Sequence, residues 1–232
     1  MFVPGFIGGG FDFTSSSVQL AVLDSELTRA RELLNLPLEN DQDKTASLPL
    51  GVGFLTFNAS PDREGLMELL RRHRPKGVWL FAPSNRRQHT ALIAELKTVG
   101  ESWDLKVFVQ VGSVQSAIEA AQDGADILVV QGSDAGGHQF AAASSIITLV
   151  PEVSDMLREH GFKLPILAAG GIMDGRGMAA ALALGEYHPI DGLMVLVKCT
   201  NSVQGRMGSS WGQGYEVLHF SRSRISFLIA KE

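Results

Sequence analysis

Residues 165–185 read PILAAGGIMDGRGMAAALALG. A short apolar run, Pro165–Ala169, ends on two alanines and the glycine pair Gly170-Gly171. After Asp174-Gly175 the sequence turns alanine-rich as far as Leu184 and stops at Gly185. The apolar run is too short for a helix and does not alternate with polar residues, so it reads as a strand covered on both faces. The alanine-rich run has helical composition and a glycine stop. Strand, glycine turn and helix make one βα unit, and the fold depends on whether that unit repeats.

It does repeat. Further candidate strands are Leu50–Phe54, Gly77–Ala82, Lys106–Val111 and Ile127–Gln131, with a weaker one at Asp191–Val195. Ser60-Pro61-Asp62-Arg63-Glu64 reads as a helix start, with Ser60 as N-cap and Pro61 at the first helical position, before Leu66, Leu69 and Leu70 on one face. Asn85–Val99 and Ser113–Gln122 carry helical spacing and close at Gly100 and Gly124. A helix over 152–160 precedes the strand at 165. Residues 35–48, NLPLENDQDKTASL, read as a polar surface connection between elements. Repeated βα units predict a parallel α/β fold. Glycine turns at several strand ends favour a TIM (β/α)8-type barrel over an open doubly wound sheet, and no G-x-G-x-x-G opens a first βα unit.

Composition narrows the function. The 232 residues carry a formal net charge of −5 with scattered Lys and Arg, so there is no basic stripe for nucleic acid. Apolar runs such as GADILVV fall well short of the roughly 20 residues of a membrane span. MFVPGFIGGG has no cationic region before its apolar residues. The expectation is therefore no membrane partner and a cytoplasmic or other intracellular location. Cys199 is the only cysteine, which excludes an internal disulfide or a cysteine metal cluster, and no metal site is expected.

Three stretches can carry chemistry. In 129–138, VVQGSDAGGH, the glycines Gly132, Gly136 and Gly137 permit close backbone approach, and His138 is of the residue type suited to a general base or an anion partner. These residues alone fit a ligand site or a flexible turn with a surface histidine equally well. The Gly170-Gly171 turn and the following helix start offer free N–H groups to an anion such as phosphate, with Asp174 as an N-cap. Gln110 and Gln131 close two predicted strands on the same rim and can bond a heterocycle. His73, His89, His160, His188 and His219 stand in charged or terminal surroundings and are expected to be solvated. Arg71-Arg72-His73-Arg74 reads as a cationic helix end, and Trp79 and Phe81 as core.

Taken together, Gly124-Ala125-Asp126, VVQGSDAGGH and PILAAGGIMDGRGMAAALALG resemble the nitronate monooxygenase family over roughly residues 5–195. The ordered pair QGS-x-AGGH and AAGGI-x-DGRG is the specific part. The resemblance implies a barrel enzyme that uses FMN and O₂ to oxidise alkyl nitronates to a carbonyl compound and nitrite. It implies FMN phosphate at Gly170 and Gly171, flavin contacts from Gln110, Gln131, Gly132, Gly136 and Gly137, and a catalytic role for His138. Other expectations open on the same fold are an FMN-dependent NAD(P)H:quinone or enoyl-thioester reductase, or an inactive fragment of such an enzyme. The oligomeric state is not legible.

Two departures from the family pattern stand out. Phe6-Ile7-Gly8-Gly9-Gly10 matches the family's second strand, so an incomplete barrel lacking the first strand and the last units is expected. After residue 194 the expected Gly-Thr-Arg-Phe-like turn is absent, so 1–194 reads as a partial FMN-binding barrel and 195–232 as an aberrant tail. Permitted codons for 214–227, read one nucleotide later, spell Gly-Thr-Arg-Tyr-Phe-Thr-Ser-Pro-Glu-Ala-Glu-Ser-Leu, so the tail is expected to be out of frame. Transcript codons incompatible with that motif would exclude the idea.

Overall fold

A computed structural model describes residues 5–38, 45–57, 59–85 and 88–184, together with the backbone of three strands at 193–197, 216–221 and 224–226. In chain order the elements are β1 (Phe6–Gly10), α1 (Val18–Leu33), β2 (Leu48–Leu55), α2 (Glu64–His73), β3 (Pro75–Phe81), α3 (Gln88–Gly100) and β4 (Lys106–Val111). They continue as α4 (Val114–Gln122), β5 (Ile127–Gln131), α5 (Ile146–Glu159), β6 (Ile166–Ala169), α6 (Gly175–Leu184) and β7 (Leu193–Val197). β8 (Glu216–Ser221) and β9 (Arg224–Ser226) follow. The strands lie side by side in sequence order, parallel from β1 to β7, with β8 and β9 added antiparallel.

This sheet is rolled as a barrel wall. Phe6 of β1 meets Phe108 of β4 with ring centroids 5.1 Å apart. Neighbouring strands are about 4.8 Å apart, so strands three places apart in a flat sheet would sit roughly 14 Å from each other. Only a curled sheet lets those rings touch. The two faces accordingly bury different residues. Phe108, Ile127, Val129, Leu167 and Ala169, with Phe6 and Trp79, form the inner cluster. Alternate residues such as Val78, Leu80, Val107, Val109, Leu128, Val130 and Ile166 face outward into a larger core with the helices. The expected TIM-type α/β barrel architecture is what the chain adopts.

Several local expectations change. α1 was not foreseen: its buried stripe, Leu20, Leu23, Leu27 and Arg31, is masked in the sequence by exposed Val18 and Leu33 on the opposite side. α2 begins at Glu64 rather than Pro61, because Ser60 Oγ accepts from Asp62 N and Asp62 Oδ1 accepts from Glu64 N, holding a turn there. α5 begins at Ile146, not 152, capped by Ser145, and carries Pro151 inside it. Exposed Ile147 is the residue whose carbonyl loses its donor to Pro151, so water can take that bond. The strands at Lys106–Val111 and Ile127–Gln131 and the helix closing at Leu184 fall where expected.

His73 and His89 overturn the expectation of solvated histidines. His73 is fully buried, with Nε2 2.8 Å from Asp24 Oδ1, and burial pulls its pKa below the ordinary histidine value. Around it, buried Arg31 donates to the carbonyls of Ala46 and His73. Arg74, also buried, donates to the Thr45 carbonyl and lies over the Trp103 ring. The arginine-rich helix end is thus a knot closing the N-terminal end of the strands. His89 is buried at the other end, 2.7 Å from Thr56 Oγ1, which itself donates to the Phe81 carbonyl. The exposed His160 fits the expectation. His188, Cys199 and the side chain of His219 lie outside the described residues. Among the described residues, no helix is long and apolar enough to cross a membrane.

Candidate active site at the strand C-termini

Gln110 and Gln131 follow Phe108 and Val129 by two residues, so strand alternation puts both on the inner face at its C-terminal end. Both are buried. Their environments differ. Gln110 Oε1 accepts from Trp79 Nε1 at 2.9 Å, which ties that end of the amide to the inner cluster. Gln131 Nε2 donates to the His138 carbonyl at 3.1 Å, while its Oε1 is buried without a hydrogen-bond partner. Leaving a buried acceptor unpaired costs about 1–3 kcal/mol, so this oxygen calls for a donor from water or from a bound group.

The segment after β5 is a loop pinched at its base. Gly132 N donates to Ala169 O at 2.9 Å and Ser133 N to Ser144 O at 2.9 Å. Ser145 Oγ donates to Asp134 Oδ2 at 2.7 Å. Gly136, Gly137 and His138 are exposed at the tip, with Gly137 at φ +76°. Gly132 has a different setting: a Cβ there would lie 2.6 Å from Ile146, so this glycine lets the strand end pack on α5.

Gly170 and Gly171, at φ +114° and +69°, turn the chain out of β6. A Cβ on Gly170 would sit 3.0 Å from Ala135 N, and one on Gly171 2.9 Å from Asp134 Cβ. The two glycine turns therefore pack against each other almost backbone to backbone, which requires glycine for space as well as for φ. Asp174 takes the expected N-cap role: its Oδ1 accepts from Arg176 N at 2.9 Å and Gly177 N at 3.2 Å. The Arg176 side chain, then those two N–H groups, hold the Asp174 carboxyl below its ordinary range. Two of the first N–H groups of α6 are thus already used by Asp174.

The structure brings Gln131, His138, Gly170 and Gly171 together around two adjacent strand ends, with Gln110 one strand further along. Three contributors were not anticipated as site residues: Trp79, which fixes Gln110; the Asp134–Ser145 brace; and Phe140, packed on Phe81 with ring centroids 5.3 Å apart. Trp79 could have been found from its even spacing with Phe81 on a strand, since both face inward. The other two are contacts across a loop that no local pattern encodes. Among the described residues, no group of three or more His, Cys, Asp or Glu could hold a metal.

Comparison with known proteins adds an independent line. A nitronate monooxygenase of Neurospora crassa is 41% identical over 197 residues, covering 78% of this chain and 50% of the relative. The nitronate monooxygenase npaC of Metarhizium robertsii is 42% identical over 181 residues, covering 76% and 49%. The solved structure of FabK from Thermotoga maritima aligns with a TM-score of 0.50 at 28% identity, covering 79% of this chain and 55% of that one. This chain therefore spans about half the length of the curated relatives it matches. The family model described as nitronate monooxygenase matches residues 69–187, which contain both glycine turns and His138. With more than half of its length inside that model, the chain belongs to the nitronate monooxygenase family.

Proposed function

We propose that this chain carries the flavin-binding and catalytic part of an enzyme that oxidises alkyl nitronates with O₂ to a carbonyl compound and nitrite. The observation that carries the reading is the Gln131 amide, which grips the His138 backbone with one end and leaves a buried, unpartnered acceptor at the other. That acceptor fits a ring N–H of a flavin, and the Gly170-Gly171 turn beside it fits a phosphate, so FMN matches the residues present. Gln131 and Gln110 would line the ring, Gly170 and Gly171 would hold the phosphate, and Gly136 and Gly137 leave the ring face open. Bound there, FMN supplies one-electron exchange with the substrate and with O₂.

The chain's own residues then bind, orient and move a proton. A nitronate is a small anion, and a ring N–H of His138 can hold it at the loop tip. With a neutral nitroalkane, an imidazole nitrogen of His138 takes the α-proton. In the overall reaction the C=N bond breaks and C=O forms, and two nitronates with one O₂ balance two carbonyls and two nitrites. The test is to mix the flavin-loaded protein with ethyl nitronate in air and follow nitrite and oxygen together. Nitrite release with oxygen consumption is expected. Flavin reduction by NAD(P)H with no nitrite would instead place the chain with the reductases.

A further inference from the structure

One apolar ring seats the His138 loop on the barrel. Residues 132–145 read GSDAGGHQFAAASS, in which Phe140 is the only large apolar side chain. Residues 136–139 and 141–142 are exposed, whereas Phe140 is half-buried. Its ring meets Phe81 nearly edge-on, with centroids 5.3 Å apart at 85°. Phe81 follows Trp79 by two residues, so it lies on the inner face at the mouth. On its other side the Phe140 ring occupies the space a Cβ on Gly112 would fill. Gly112 also lines a groove of ≈ 370 Å³ between the start of α4 and the end of the loop, whose walls mix Val114, Ala143 and Leu149 with Ser113, Ser144 and Glu152. The ring thus touches Phe81 at the mouth and Gly112 at the groove.

We propose that Phe140, seated between Phe81 and Gly112, is the wall that sets the length of carbon chain the site accepts. His138 and Phe140 are two residues apart on the loop, and a chain running from an anion at His138 toward β3 and β4 would meet the ring. With the ring in place the site takes short-chain anions. With the ring gone, the mouth and the groove become continuous, and further methylenes leave water against Val114, Ala143 and Leu149. Each methylene so buried is worth about fourfold in affinity, so two of them give about 15-fold. The substrate named here rests on the function proposed above, but the wall itself is a matter of shape.

The test compares Phe140→Ala and Phe140→Trp with the parent protein, after matched folding by circular dichroism. Calorimetric affinities for propanoate and octanoate give a chain-length ratio, and turnover of ethyl and octyl nitronates is measured beside them. Phe140→Ala should raise the octanoate-to-propanoate ratio about 15-fold, and Phe140→Trp should lower it. A ratio unmoved by both variants, or no binding of either acid to any of the proteins, overturns the proposal. A shifted ratio without nitronate turnover supports the wall and removes nitronates as the substrate. Turnover with an unshifted ratio does the reverse.

Discussion

Replacing His138 by alanine is expected to lower kcat/KM for an alkyl nitronate by about 100-fold or more, the range over which a positioned acid or base acts. The reason to expect a clean result is geometric. Gln131 anchors this residue through its backbone carbonyl, which any substitution keeps. The residue is exposed at the loop tip. Flavin content and melting temperature should therefore stay at parent values while turnover falls. His138→Asn, which keeps a hydrogen-bond donor but cannot titrate, should separate the two roles: partial activity on pre-formed nitronates and almost none on neutral nitroalkanes. Parent-level kcat/KM in His138→Ala would remove this residue from the reaction.

The second large effect concerns acid stability. Burial pushes the His89 pKa from its ordinary value near 6.5 down to about 4. The unfolded chain takes up this proton at higher pH than the folded one, so stability is lost as pH falls. The contribution is fully present above pH 6.5, declines between 6.5 and about 4, and is flat below that. A shift of this size corresponds to about 3 kcal/mol across that window. Denaturant unfolding at a series of pH values is expected to show that slope, and His89→Gln to flatten it. A parent curve without a decline between pH 6.5 and 4 would mean that His89 opens to solvent before the chain unfolds.

What the sequence disclosed and what it hid follow from the range of the forces involved. Strands such as Lys106–Val111 and Ile127–Gln131 were legible because continuous apolar runs bounded by glycine are local signals. The glycine turn at 170–171 was legible for the same reason, since its positive φ is a property of each residue alone. α1 was obscured because Val18, Val22 and Leu33 are apolar yet exposed, which blurs the face that Leu20, Leu23 and Leu27 bury. The histidines at 73 and 89 were misread because their polar neighbours in sequence are not their neighbours in space. His73 meets Asp24, and His89 meets Thr56, across 49 and 33 residues. Likewise, that Gln110 is fixed by Trp79 and that Phe140 rests on Phe81 depend on the sheet curling and the loop folding back. The positions of the candidate residues were therefore readable, and their partners were not.

The central claim is that the C-terminal mouth of this barrel holds FMN, with its phosphate at Gly170-Gly171 and its ring beside Gln131. The most direct measurement is the visible absorbance of the purified chain after incubation with FMN and gel filtration, followed by mass identification of the released compound. The account predicts a retained flavin spectrum, FMN on release, and loss of retention in Gly170→Val, where the added side chain would strike the Ala135 backbone. A well-folded, colourless parent protein that retains no FMN would contradict it.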